Sequence, residues 1–243
     1  ETEDQLELVN LEPFRELLRT PALRFVRFDN FYFTNALCHA TANALEEGSP
    51  VTSITFESDC SFPDGGAAII ANALKTNATI TNAQFFGDFD EPFLNSLAVV
   101  LLCNSTLQNL IVDTNTSASG RWLSSLFLSL GMNTTLKSLS ICIFDKFGDE
   151  LCAAITSGLI KNTTLEKLSL YRMHSSDDDG AISARNALSF LRTNSTLKPL
   201  TVSFMRAQNE SYVSAFRLEA VKMMEENHFL ENPIITESNG SGI

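Results

Sequence analysis

One short motif recurs along the chain at nearly even spacing. Asn77-Ala-Thr-Ile80, Asn104-Ser-Thr-Leu107, Asn133-Thr-Thr-Leu136, Asn162-Thr-Thr-Leu165 and Asn194-Ser-Thr-Leu197 follow one another at steps of 27, 29, 29 and 32 residues. Weaker copies begin at Thr20, Gly48 and Asn227. Self-similarity at this period is the signature of stacked repeats. Apolar residues keep step with the motif. Three residues before it stand Leu17, Leu45, Leu74, Leu101, Leu130, Leu159, Leu191 and Met224. Six after it come Val26, Ile54, Ala83, Leu110, Leu139, Leu168 and Leu200, and eight after it Phe28, Phe56, Phe85, Val112, Ile141, Leu170 and Val202.

Each unit reads as one helix and one strand. The spacing of two within Leu110/Val112, Leu139/Ile141 and Leu168/Leu170 is strand periodicity. Ile155/Leu159 and Leu126/Leu130 lie four apart and share a helix face. The Asn-x-Thr turn links helix to strand, and asparagine suits it because it tolerates left-handed geometry and bonds nearby backbone. One such unit cannot bury its own apolar face, whereas a stack buries a continuous core between a parallel sheet and a helix layer.

These residues resemble the leucine-rich repeats of the ribonuclease-inhibitor-like subclass. Asp64 to Leu74 followed by Asn77-Ala-Thr-Ile80 is similar to the helix-then-strand template, as is Gly148 to Leu159 followed by Asn162 to Leu170. The resemblance implies an α/β solenoid, a horseshoe with a parallel β-sheet on the concave face and helices on the convex face. That family places Asn or Cys three residues after the last strand leucine. Here the slot holds Phe31, Asp59, Asp88, Asn115, Phe144, Met173 and Met205, so the strand-to-helix turns are expected to be irregular. Residues 1–243 read as a single domain, with an N-terminal cap over 1–19, repeats of about 27–33 residues over 20–209 and a cap helix and tail over 210–243. Residues 236–243 are polar and are expected to be loose. The chain begins Glu-Thr-Glu-Asp without a methionine, which reads as a processed or trimmed start.

Composition excludes several classes. A chain that is 44% hydrophobic is too apolar to stay disordered. The longest apolar run, Leu97 to Cys103, is far short of the roughly 20 residues of a membrane span. A formal charge of −12 opposes nucleic acid and anionic membranes and favours a basic protein or a cation. No HExxH, GxSxG, P-loop or GxGxxG occurs, and His39, His174 and His228 fall in different layers. No enzyme activity, cofactor or metal is therefore expected. The five cysteines form no CxxC pair and read as mostly buried reduced thiols. Trp122 reads as helix-layer packing.

Two surfaces stand out. The strand-to-helix connections carry 14 acidic and four basic residues, a balance close to that of the whole chain. Glu57, Asp59, Asp88, Asp90, Glu91, Asp177, Asp178 and Asp179 form this acidic rim. It reads as a docking edge for a basic partner, as helix caps, or as a loose calcium contact at 88–91 or 177–179. Repeat phase also places side chains outward on the sheet. They are Arg24 and Arg27; Thr52, Thr55 and Glu57; Gln84 and Phe86; Gln108, Ile111 and Asp113; Lys137, Ser140 and Cys142; Glu166, Ser169 and Tyr171; and Lys198, Thr201 and Ser203. Arg24, Arg27, Phe86, Ile111, Asp113, Lys137 and Tyr171 are the candidate partner contacts, with Phe86, Ile111 and Tyr171 as anchors.

The leading expectation is a non-catalytic scaffold or recognition module that binds a protein partner, a basic one by charge, without nucleic acid or membrane insertion. A GTPase or enzyme regulator using Asn115 or Arg121 remains open, as does a structural or surface glycoprotein. Eight Asn-x-Ser/Thr sequons (Asn77, Asn104, Asn115, Asn133, Asn162, Asn194, Asn209 and Asn239) leave the compartment open between the cytoplasm, slightly favoured, and an exported glycosylated form. Oligomeric state is likewise open.

Overall fold

The structure is a computed structural model that describes residues 11–114, 121–142, 149–173, 185–205, 210–231 and 233–238. The predicted alternation of helix and strand is present. Helices α1 (Glu12–Arg19), α2 (Asn35–Glu46), α3 (Gly66–Ala73), α4 (Glu91–Cys103), α5 (Arg121–Leu130), α6 (Asp149–Lys161) and α7 (Glu210–Glu226) interleave with strands. The strands are β1 (Phe25–Phe28), β2 (Ser53–Phe56), β3 (Asn82–Gly87), β4 (Asn109–Thr114), β5 (Ser138–Cys142), β6 (Lys167–Met173), β7 (Leu200–Met205) and β8 (Ile234–Ser238). A helical segment with a 3-10 turn, Ser189–Arg192, takes the helix place between β6 and β7. All eight strands form one parallel sheet in sequential order. The chain is a leucine-rich-repeat solenoid with the sheet on its concave face. Strands sit about 4.8 Å apart and helices about 8–10 Å apart, so the stack fans outward on the helix side.

The two apolar series fall into columns across the sheet. Val26, Ile54, Ala83, Leu110, Leu139, Leu168 and Leu200 pair in register, as do Phe28, Phe56, Phe85, Val112, Ile141, Leu170 and Val202. From Ile54 onward the members of the first column are buried against the helices, and so is every member of the second. No helix among the described residues is long and apolar enough to cross a membrane.

The motif asparagines bind the repeats together through their side chains. Asn104 Nδ2 donates to the carbonyls of Leu74 at 2.6 Å and Asn77 at 3.0 Å, and its Oδ1 accepts from the amides of Thr106 and Leu107. The same amide group joins Asn77 to Leu45, Asn133 to Leu101, Asn162 to Leu130, Asn194 to Leu159 and Asn227 to Leu191. Each leucine lies at the end of a helix whose last carbonyls lack intrahelical donors, so every asparagine satisfies the end of the helix one repeat back. Left-handed backbone is not the reason for asparagine here: the only non-glycine residue at positive φ among the described residues is Asn30, and Asn104 is extended. The motif threonine contributes as well. Thr79 Oγ1 donates to Ser49 O at 2.9 Å, with longer counterparts from Thr135 to Asn104 and from Thr164 to Asn133.

The ends depart from the repeat phase. Ser49, not Gly48, stands in for asparagine at the first junction, donating to Leu18 O at 2.5 Å. Leu18 is accordingly buried and Leu17 exposed, one residue off the predicted series. At the other end α7, Asn227 and β8 form a further unit rather than a cap and loose tail. Residues 236–238 pair with β7, because Asn227 repeats the ladder geometry and delivers the chain to the sheet edge.

Phenylalanines fill the strand-to-helix side of the first repeats. Phe28, Phe56 and Phe85 stack along the sheet at 5.1 and 5.4 Å, and Phe33, Phe62, Phe89 and Phe93 close over them. In the turn after β2, Cys60 donates its thiol to Phe28 O of the preceding repeat. Farther along, α5 and α6 meet at Gly131 and Gly158, where a methyl on Gly158 would collide with the Phe127 carbonyl.

Two stability outcomes follow from this packing. Asn104→Ala leaves buried carbonyls and amides unpaired and lowers unfolding free energy by about 3 kcal/mol, read from urea denaturation. Gly158→Ala forces the α5–α6 pair apart and lowers it by about 1–3 kcal/mol in the same assay.

Candidate functional site

The sheet face turned away from the helices is covered by no other layer among the described residues. Alternation along the strands turns one column of side chains outward through Arg27, Thr55, Gln84, Ile111, Ser140, Ser169 and Thr201, which pair in register. Nearer the strand C-terminal ends, Phe86 pairs with Asp113, and Cys142 with Tyr171. Continuing the register places these four on neighbouring strands, so Phe86 and Tyr171 stand about 14 Å apart at 4.8 Å per strand. Phe86, Ile111, Asp113 and Tyr171 are half-buried.

Several expected contacts sit differently. Arg24, Thr52, Gln108, Lys137, Glu166 and Lys198 lie just ahead of their strands rather than within them. Their phase is one residue off: the carbonyls of Arg24, Thr52, Gln108 and Lys137 each accept two amides from the next repeat, as Arg24 O does from Thr52 and Ser53, and those of Glu166 and Lys198 accept one. The first outward positions are instead Phe25, Ser53, Asn82, Asn109, Ser138 and Lys167. Counting back by twos from Ile111 and its equivalents finds them. Phe25 is 74% exposed, and Asn109 Nδ2 donates to Asn82 Oδ1 at 2.6 Å across β3 and β4. Cys142 and Ser203, expected outward, are buried: Cys142 lies beside the Tyr171 ring position and Ser203 beside Thr236 of the unforeseen β8.

The charged side chains on the face are mutually engaged. Arg27 Nε meets Glu57 Oε1 at 3.0 Å, Lys137 Nζ meets Glu166 at 3.1 Å and Lys198 Nζ meets Glu231 at 3.4 Å. Arg24 donates to the carbonyls of Pro21 and Pro50, which fixes backbone rather than a ligand. The pairs are largely exposed and each contributes only about 0.2–1 kcal/mol.

The rim divides into caps and free carboxylates. Asp90 caps α4: Oδ1 accepts from Phe93 N at 2.9 Å and Oδ2 from Gly65 N at 2.8 Å. Each oxygen thus accepts a backbone amide, which makes Asp90 a helix cap that also ties α4 to the turn before α3. Glu91 lies in the first turn of α4, where its charge complements the helix dipole. Glu57 pairs with Arg27. Asp59 and Asp88 are exposed at the same repeat position on successive turns. Asp177, Asp178, Asp179 and Asn115 lie outside the described residues, and Arg121 opens α5.

Among the described residues no group of three His, Cys, Asp or Glu is placed to hold a metal. None of the five cysteines is in a disulfide: Cys38, Cys142 and Cys152 are buried, Cys60 is half-buried and Cys103 is exposed, in keeping with mostly buried thiols. Burial pushes the Cys38 thiol up to about 11 and the Cys152 thiol up to about 12. Such thiols are protonated and unreactive at neutral pH. Trp122 is buried in the helix layer as expected.

No protein-family model matches this sequence, and no curated relative does. Solved structures similar to this chain include leiomodin-1 actin-binding site 2, with a TM-score of 0.42 and 16% identity over 77% of this chain and 87% of that one. The tropomodulin C-terminal domain of Caenorhabditis elegans is similar with a TM-score of 0.36 and 12% identity, over 90% of this chain and 94% of that one.

The raised thiols give a pH dependence. Unfolded cysteines ionise near 9.0, whereas folded Cys38 and Cys152 hold their protons to about 11 and 12. Unfolding therefore releases protons across that window, and stability falls as pH rises through it. Urea midpoints at pH 8 and 10.5 should show a smaller alkaline drop for Cys38→Ala/Cys152→Ala than for the parent.

Proposed function

We propose that this chain is a non-catalytic recognition module whose repeats belong to the ribonuclease-inhibitor-like pattern and whose concave sheet binds a protein partner. The observation that carries this reading is the set of half-buried anchors Phe86, Ile111 and Tyr171 in a field of small polar side chains. An aromatic or aliphatic anchor that is already half-buried loses little side-chain entropy on docking, which is the usual character of an interface hot spot. The ion pairs around the anchors are weak enough to be exchanged for contacts to a partner. Asp59 and Asp88 stand free at the sheet edge and would draw a basic partner in, raising the association rate more than the affinity.

The test is affinity capture from the source organism's extract, followed by titration of the captured protein. Phe86→Ala/Ile111→Ala/Tyr171→Ala should weaken binding at least tenfold at low and high salt alike. Asp59→Asn/Asp88→Asn should slow association at low salt and leave the high-salt affinity nearly unchanged. Binding that is indifferent to the face variant would move the interface off the sheet.

A further inference from the structure

Five of the eight sequons coincide with the ladder. Asn77, Asn104, Asn133, Asn162 and Asn194 are each no more than 6% exposed, although each begins an Asn-x-Thr sequence that a glycosylating compartment reads as an acceptor. Their surroundings explain both conserved letters of the sequon without glycan. The asparagine Oδ1 accepts the amides two and three residues on, and Nδ2 donates to the preceding helix. In Asn104, Asn162 and Asn194 both Nδ2 hydrogens are used, the second on the carbonyl of the previous motif asparagine. The threonine hydroxyl reaches a carbonyl of the previous repeat or the Oδ1 itself.

Glycosyl transfer would form a bond between Nδ2 and the anomeric carbon of a lipid-linked oligosaccharide. One amide proton leaves, and the lipid pyrophosphate departs. The product has a single N–H where three of these sites use two, and a sugar ring where the structure has a helix end. We propose that folding and N-glycosylation are competing fates of the same five amides, so that this chain reaches its native form, and meets its partner, only in a compartment where the transferase does not act on it.

The cysteines agree independently. None of the five is in a disulfide, and three of them are buried. This is the pattern of a reducing compartment. The inference does not depend on which face binds a partner. It removes glycans on the five ladder sequons, though not on the other three, from the surface-glycoprotein reading.

The experiment expresses the full chain in a eukaryotic cell with and without an added secretion signal. The readouts are half-life under a fixed protease dose and glycan sites mapped by mass spectrometry. Without the signal the chain should be unmodified and resistant. With it, glycans should map to ladder asparagines and the half-life should fall at least tenfold. Resistance should return when tunicamycin blocks donor synthesis, or when Thr79, Thr106, Thr135, Thr164 and Thr196 are changed to Ala. The signal-free form of that variant reports whether it folds. Ser117→Ala/Ser211→Ala/Ser241→Ala, which removes the other three sequons, should not restore resistance. Rescue by either of the first two treatments supports the proposal. A signal-bearing chain that is resistant, with or without ladder glycans, would overturn it. So would failure of both rescues, or rescue by the serine variant alone.

Discussion

A single carboxamide per repeat holds this solenoid together. The end of a helix presents carbonyls with no donor, and the turn that follows presents amides with no acceptor. One asparagine side chain carries both functions and spans from one repeat to the next. An aspartate has no N–H to give, and a serine has only one donor and a shorter reach. Ser49 serves at the first junction, where the demand is a single carbonyl and Gly48 at φ +93° brings the chain close. Each bond links neighbours only, so the stack grows by a repeated local rule, as repeat architectures do.

The ladder also governs the face opposite the helices. By fixing where each chain enters the sheet, it sets the register of every strand against the last. Side chains of equal phase then line up into rows. The apolar rows turn inward to the core, and the polar rows turn outward with Phe86, Ile111 and Tyr171 among them. The candidate interface is therefore as ordered as the core behind it, because the same carboxamides align both.

The alternation of helix and strand, both apolar columns and the parallel sheet were legible in the sequence, since each is a periodicity carried by many copies. What was misread lies where one copy differs. The residue before each strand reads as outward by repeat phase, yet its role is carried by its carbonyl, which leaves no trace in side-chain chemistry. Leu17 and Leu18 exchange roles because Ser49 shifts the first junction by one. The eighth strand was hidden because Ile234 to Ser238 is short and mostly polar, and its partner Asn227 was a weak copy of the motif. The acidic rim divides according to backbone donors: Asp90 accepts two amides as a cap, whereas Asp88 is exposed, a difference that composition cannot express.

The contact between Gly131 and Gly158 bears on the shape of the horseshoe. Curvature arises because helices are wider than strands, so each repeat is a wedge. Two glycines let α5 and α6 approach more nearly than side-chain-bearing helices do. Backbone meets backbone at this junction, so a side chain at Gly158 would have to push the α5 end away, widening that wedge on the helix side and tightening the arc of the sheet beside β5 and β6.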